Sequence, residues 1–343
     1  MRFITIISAL SLFVGAMSSS LSDETDHQGA RTTQSQKGSA TECFNRALSY
    51  DKTHEYRKAI ILYSRAIAIL PKSSDAYCNR GLSYAKIGNH AQAISDATQA
   101  ILINPRGATA YYNRGVSYEK TGNYSQAIAD YSQAIRVTPQ SEFYCQRGKL
   151  YATQRNYSMA INDYSAAIAI DFNCSNAYYD RGIAYDNSGQ YVKAIEDYTK
   201  VLTTNPNDAY AYANRSNAYN SLGNHSQAIA DASQAIELDQ ANSVAFHNRG
   251  NANEAMGNHI KAVADYTRSI KINPKYAGSY YGRGISYSQT GDYVKAIDDY
   301  TSGITIDPHN PDVYDNRGYC YEKIGNHNKA VADFMTAKKL RSG

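Results

Sequence analysis

Nine arginines stand at an almost fixed interval: Arg46, Arg80, Arg114, Arg147, Arg181, Arg215, Arg249, Arg283 and Arg317, 34 residues apart except for one gap of 33. Sixteen residues after every one but the first comes an aspartate: Asp96, Asp130, Asp163, Asp197, Asp231, Asp265, Asp299 and Asp333. A guanidinium and a carboxylate in that repeating order can form a two-pronged ion pair, and an arginine on a packing face needs such a partner. The residue before the arginine is asparagine in six places, namely Asn45, Asn79, Asn113, Asn214, Asn248 and Asn316. Gln146, Asp180 and Gly282 take the other three. An amide both donates and accepts, so a row of amides can bond the alternating N–H and C=O groups of an extended chain. No P-loop, G-x-S-x-G, H-E-x-x-H or dinucleotide fingerprint occurs. No isolated acid, base or nucleophile breaks the repeat phase, so neither catalysis nor a cofactor is expected.

The spacing says what must position these groups. Counting each arginine as position 7 divides the chain into units at 40–73, 74–107, 108–140, 141–174, 175–208, 209–242, 243–276, 277–310 and 311–343. Positions 4, 7, 8 and 11 share one helical face, and positions 17, 20, 21, 24, 27 and 28 form a second apolar stripe. Position 20 is alanine in all nine units, and position 8 is glycine in seven. Gly-Asn or Gly-Asp at positions 15 and 16, as at Gly122-Asn123 and Gly291-Asp292, reads as a helix stop and turn. Proline at position 32 in six units punctuates their ends. Each unit is therefore expected to be two antiparallel helices. A fixed period of this length marks a stacked array. Pairing of arginine with aspartate within a unit or with the preceding unit both fit the pattern.

This pattern of small, aromatic, Ala and Pro positions resembles the tetratricopeptide repeat, over 40–343. The departures are Tyr, Phe or Cys where the family often has Trp, and Arg where it often has Leu. The resemblance implies an all-α, right-handed superhelical α-solenoid, with the first helix of each unit lining a concave groove. The position-6 row resembles the asparagine-lined groove of the repeat domain in O-linked N-acetylglucosamine transferase. That likeness implies binding of extended polypeptide by Asn45, Asn79, Asn113, Gln146, Asp180, Asn214, Asn248 and Asn316. The competing reading is that these amides bond the neighbouring unit. Position 5 adds Phe44, Tyr112, Tyr179 and Tyr281, placed to grip side chains or to pack at the core edge. A chaperone-tail clamp is not expected, because position 5 is never lysine.

Composition narrows the classes further. A net charge of +4 over 343 residues gives no electrostatic case for nucleic acid. The five cysteines show no C-x-x-C spacing, and Cys78 and Cys145, two units apart, are too distant to pair in a regular stack. His90, His225, His259 and His327 all fall at position 17, which suits turn packing and not a metal site. Residues 1–20, with Arg2 ahead of an apolar run, read as a cleavable signal peptide, and 21–39 as a disordered leader. The expectation is a secreted or periplasmic, non-catalytic scaffold that binds a protein or peptide, with no membrane span after cleavage. The alternatives are an assembly factor of the envelope or secretion machinery that uses its convex face or ends, and a cytoplasmic location if no signal is present.

Overall fold

The computed structural model describes residues 26–342, with side chains from residue 36 onward. Among them are 18 helices and no strand. Residues 26–105 hold α1 (Asp26–Lys52), α2 (Tyr56–Ile69), α3 (Ser74–Lys86) and α4 (His90–Ile103). Residues 106–342 form a second compact body of α5 (Ala108–Lys120), α6 (Tyr124–Val137), α7 (Ser141–Thr153), α8 (Tyr157–Ile170), α9 (Ser175–Asn187), α10 (Tyr191–Thr204), α11 (Ala209–Ser221), α12 (His225–Leu238), α13 (Ser243–Ala255), α14 (His259–Ile272), α15 (Ala277–Gln289), α16 (Tyr293–Ile306), α17 (Pro311–Lys323) and α18 (His327–Ser342). The signal-peptide segment lies outside the described residues. Helix α1 begins at Asp26, so residues 26–39 are helical where a disordered leader was expected. Gln, Ala, Arg and Lys in that stretch favour helix and no proline interrupts it, so nothing stops the helix short of Ala40.

Each pair closes by the same turn. Glycine at position 15 takes a left-handed backbone, as at Gly122 (φ 80°), and the next N–H bonds back to position 11, as Asn123 does to Tyr118 at 2.8 Å. His54 and Arg155 hold that conformation without glycine. The following helix is often capped by a side chain: Asn89 accepts from the Gln92 N–H and Asp292 from the Lys295 N–H.

Inside six of the nine pairs a large ring fits against a missing side chain. Tyr131, Tyr164, Tyr198, Tyr266 and Tyr300, at position 24, are essentially fully buried. They lie over the glycine at position 8 of their own unit: a methyl group on Gly182 would stand 2.7 Å from the Tyr198 ring, and one on Gly284 2.7 Å from Tyr300. In the unit at 209–242 the ring is replaced by Ala232 and the glycine by Ser216, whose hydroxyl donates to the Ala228 carbonyl at 2.8 Å. The alanines at position 20 are buried in every unit and let the two backbones approach closely.

Within residues 106–342 successive first helices (α7 with α9, α9 with α11, α11 with α13, α13 with α15, α15 with α17) touch one another, while successive second helices do not approach to the same extent. The first-helix side of that body is therefore its tighter, inner side. Among the described residues no helix is long and apolar enough to cross a membrane.

Candidate functional site

The arginine ladder pairs within units. In eight pairs, from Arg80–Asp96 to Arg317–Asp333, Nε and Nη2 of the arginine donate to the two carboxylate oxygens of the aspartate on the partner helix, as in Arg283–Asp299 at 2.8 and 2.7 Å. The remaining nitrogen does something the sequence reading missed. Nη1 donates to a serine or threonine at position 25 of the preceding unit: Arg80 to Ser64, Arg147 to Ser132, Arg181 to Ser165, Arg215 to Thr199, Arg249 to Ser233, Arg283 to Thr267 and Arg317 to Thr301. The guanidinium also lies over an aromatic ring at position 4, as Arg181 does over Tyr178 at 5.5 Å from the centroid. One side chain thus ties two helices of its own unit and the unit before it. The signal was present: position 25 is Ser or Thr in eight units, and in the last, where no further described unit follows, it is Met335.

The position-6 row, expected to line the groove, is not uniform. Asn45 is exposed, and Asn79 and Asn316 are half-buried with no side-chain hydrogen bond. Asn113 is half-buried as well. Gln146 lies by the Tyr112 hydroxyl. Asn214 donates to the Tyr179 hydroxyl at 3.0 Å. Asn248 is a correction: it is buried and donates to the Ala213 carbonyl of the preceding unit at 2.9 Å. Alanine at position 5 of that unit leaves its carbonyl within reach, so the amide turns inward and cannot line a groove. Asp180 differs again. No cation bonds it, Lys149 is the nearby charge, and burial pushes its carboxyl up to about 6.

The position-5 aromatics pack at the edges of the core. Tyr112 stacks on Phe143 and donates to Glu142 at 2.6 Å. Tyr179 meets Tyr198 edge-on. Tyr281 is a second correction: its hydroxyl donates to the Gly303 and Asp307 carbonyls, closing the end of α16, and its ring occupies the space that a larger residue at 303 would need. Three of the turn histidines bond position-12 side chains of their own units, His225 to Asn220 at 3.3 Å, His259 to Glu254 at 2.9 Å and His327 to Glu322 at 2.7 Å, whereas the buried His90 Nδ1 has no hydrogen-bond partner among the described residues. No group of three or more potential metal ligands is gathered among the described residues. Arg341 pairs with Asp312 and Asp315, but Val331, Phe334 and Met335 are exposed on α18.

Comparison with known proteins agrees with this architecture. Family profiles described as tetratricopeptide repeat match residues 74–106, 108–141, 141–174, 175–208, 197–230, 243–276, 277–310 and 311–343. Among solved structures, the Cut9–Hcn1 heterotetramer of the APC/C matches with a TM-score of 0.58 and 14% identity, over 88% of this chain and 73% of that one. A tetratricopeptide repeat protein from Parabacteroides merdae matches with a TM-score of 0.57 and 18% identity, over 72% of this chain and 98% of that one. YrrB, described as a TPR protein with an unusual peptide-binding site, matches with a TM-score of 0.51 and 20% identity, over 54% of this chain and 96% of that one. At these identities the likeness is one of fold. No curated protein sequence matches the chain.

Proposed function

The chain belongs to the tetratricopeptide repeat family, and from that premise we propose that it is a non-catalytic scaffold that holds an extended peptide or partner protein along its first helices. The observation that carries the reading is the state of Gln146, Asp180 and Asn316. These side chains sit on α7, α9 and α17, on the side where first helices approach one another, and all three stay half-buried and reachable. Each amide–backbone bond contributes about 0.5–1.5 kcal/mol, so several in register are needed, and a repeat supplies that register. A desolvated carboxylate such as Asp180 weakens the free protein and is relieved when a donor or cation binds it. YrrB, in its description, carries a peptide-binding site on the same fold.

Selection from a displayed random-peptide library tests this. Peptides enriched on the protein are expected to lose at least tenfold in affinity on a Q146A/D180A/N316A variant, about 1.4 kcal/mol or more. Unchanged affinity would remove the groove reading. A second reading, assembly with a larger partner through the end of the array, is favoured by exposed Val331, Phe334 and Met335. It predicts that V331D/M335D abolishes partner capture while the groove variant does not. Export belongs to the proposal and rests on Met1–Ser20. N-terminal sequencing of the exported protein checks it, and an intact Met1 counts against it.

A further inference from the structure

Departures from the repeat meet at one junction. Position 5 is histidine only at His247, position 27 is serine only at Ser269, and position 3 is serine only at Ser279. Position 9 is asparagine at Asn251 and, elsewhere, only at Asn217. Stacking brings these four side chains into one hydrogen-bonded chain across α13, α14 and α15. The Tyr266 hydroxyl donates to Asn251 Oδ1 at 2.7 Å, and Asn251 Nδ2 lies 3.1 Å from His247 Nε2. His247 Nδ1 lies 3.1 Å from Ser279 Oγ, which is 2.8 Å from Ser269 Oγ. Ser269 donates to the Ser243 carbonyl at 2.8 Å.

The carbonyl end sets the direction of every bond. A carbonyl only accepts, so Ser269 spends its proton on Ser243 and must accept from Ser279. Ser279 has then spent its own proton and must accept from His247, so Nδ1 carries a hydrogen. Nε2 is left as the acceptor for the Asn251 N–H. One neutral tautomer of the ring satisfies all its partners. A second proton, on Nε2, sets two donors against each other. Turning the Asn251 amide over gives the ring an acceptor again but presents Nδ2 to Tyr266, whose O–H then loses its own. Tyr266 is essentially fully buried, and its hydroxyl is packed so closely on Gly282 that a methyl group there would stand 2.7 Å away. Solvent does not replace the lost bond at such a place.

No charge compensates an imidazolium. The titratable side chains against the ring are Tyr266 of α14 and Tyr276 of the α14–α15 connection, with centroids 5.6 and 4.7 Å away. Helix α15 presents Ser279 and Gly278. On α13 itself, Arg249 is taken by Asp265 of α14 and Ser233 of α12, and Glu254 by His259 and Ser286. On α11, Arg215 is paired with Asp231 of α12. Burial alone acts on His247 and pulls its imidazole down to about 4.

We propose that His247 is an acid-release latch between the units at 243–276 and 277–310: the neutral ring ties α13 to α15, and a proton on Nε2 undoes the tie. The neighbouring Asn248 ties α13 to α11 through the Ala213 carbonyl and carries no titrating group, so acid loosens one side of α13 and leaves the other. The folded value lies below the ordinary 6.5, so the opened junction takes the proton first. The tie is therefore at full strength above about pH 6.5 and weakens as pH falls toward 4. This inference does not rest on the peptide-groove reading.

Two measurements on the full-length protein test it. Long-range proton–nitrogen spectra of the ¹⁵N-labelled wild type, with His247 assigned through its contact with the Tyr276 ring, are expected to show Nδ1 protonated and Nε2 bare from pH 7.5 down to pH 5. This measurement requires no variant to fold. Hydrogen exchange of α13 and α15, corrected for the intrinsic pH dependence of exchange, is expected to show opening on the order of tenfold more frequent at pH 4.5 than at pH 6.5. In His247→Gln, which has no proton to take up, that rise is expected to disappear. An Nε2–H tautomer, a ring that takes up its second proton by pH 6 in the folded protein, or an equal rise in the variant would overturn the proposal.

Discussion

The pair α1–α2 and the pair α15–α16 share the repeat but treat their arginine differently. Arg283 is 17% exposed, grips Asp299 with two nitrogens, and reaches Thr267 of the preceding unit with the third. Arg46 is 62% exposed and meets only Glu42, at 4.0 Å, because position 23 is the buried Leu62. At the far end of the chain the other half of the motif lapses: Asp333 still receives Arg317, but position 25 is Met335. Aspartate closes a unit on itself, whereas the hydroxyl receives the next one. The hydroxyl is present in every unit that a further described unit follows, whereas the first unit lacks the aspartate and its Arg46 is left at the surface. The arginine ladder is therefore stacking chemistry.

The strongest way to break this comparison is to remove one carboxylate. Asp299→Ala leaves the Arg283 charge partly buried and without its anion, and is expected to cost about 3 kcal/mol. Arg46→Ala should change stability by less than about 0.5 kcal/mol. Urea denaturation followed by circular dichroism measures both, with hydrogen exchange in α15 and α16 reporting any local opening. Equal losses in the two variants would end the distinction. A smaller effect sharpens it. Gly284→Ala places a methyl group 2.7 Å from the Tyr300 ring and should cost about 2 kcal/mol. Gly81→Ala, which faces Ala97 across the same contact with its nearest atoms at 3.2 Å, should cost less than half as much. The smallest effect concerns the hydroxyl. Thr267→Ala removes the bond from Arg283 Nη1 and should cost about 1.5 kcal/mol, whereas Met335→Thr should be near neutral. A large effect of Met335→Thr would mean that position 25 has some use other than receiving an arginine.

The sequence alone determined the period, the two helices per unit, the turn at positions 14–16 and the Arg–Asp register. Each follows from side chains that must recur together: alanine and glycine where backbones approach, an apolar stripe every three or four residues, and a charge that needs its opposite. It also held the position-25 hydroxyls, whose use shows only once an arginine from the next unit is seen to reach them.

Only the tertiary structure decided where individual amides and rings turn. Asn248 and Asn316 occupy the same position, yet one bonds the Ala213 carbonyl and the other stays half-exposed, with position 5 of the preceding unit alanine in the first case and Tyr281 in the second. Tyr281 looked available until the end of α16 took its hydroxyl. Periodicity fixes which face of a helix is buried. Which atom on that face finds a partner depends on the one unit packed against it, and that unit is never an identical copy.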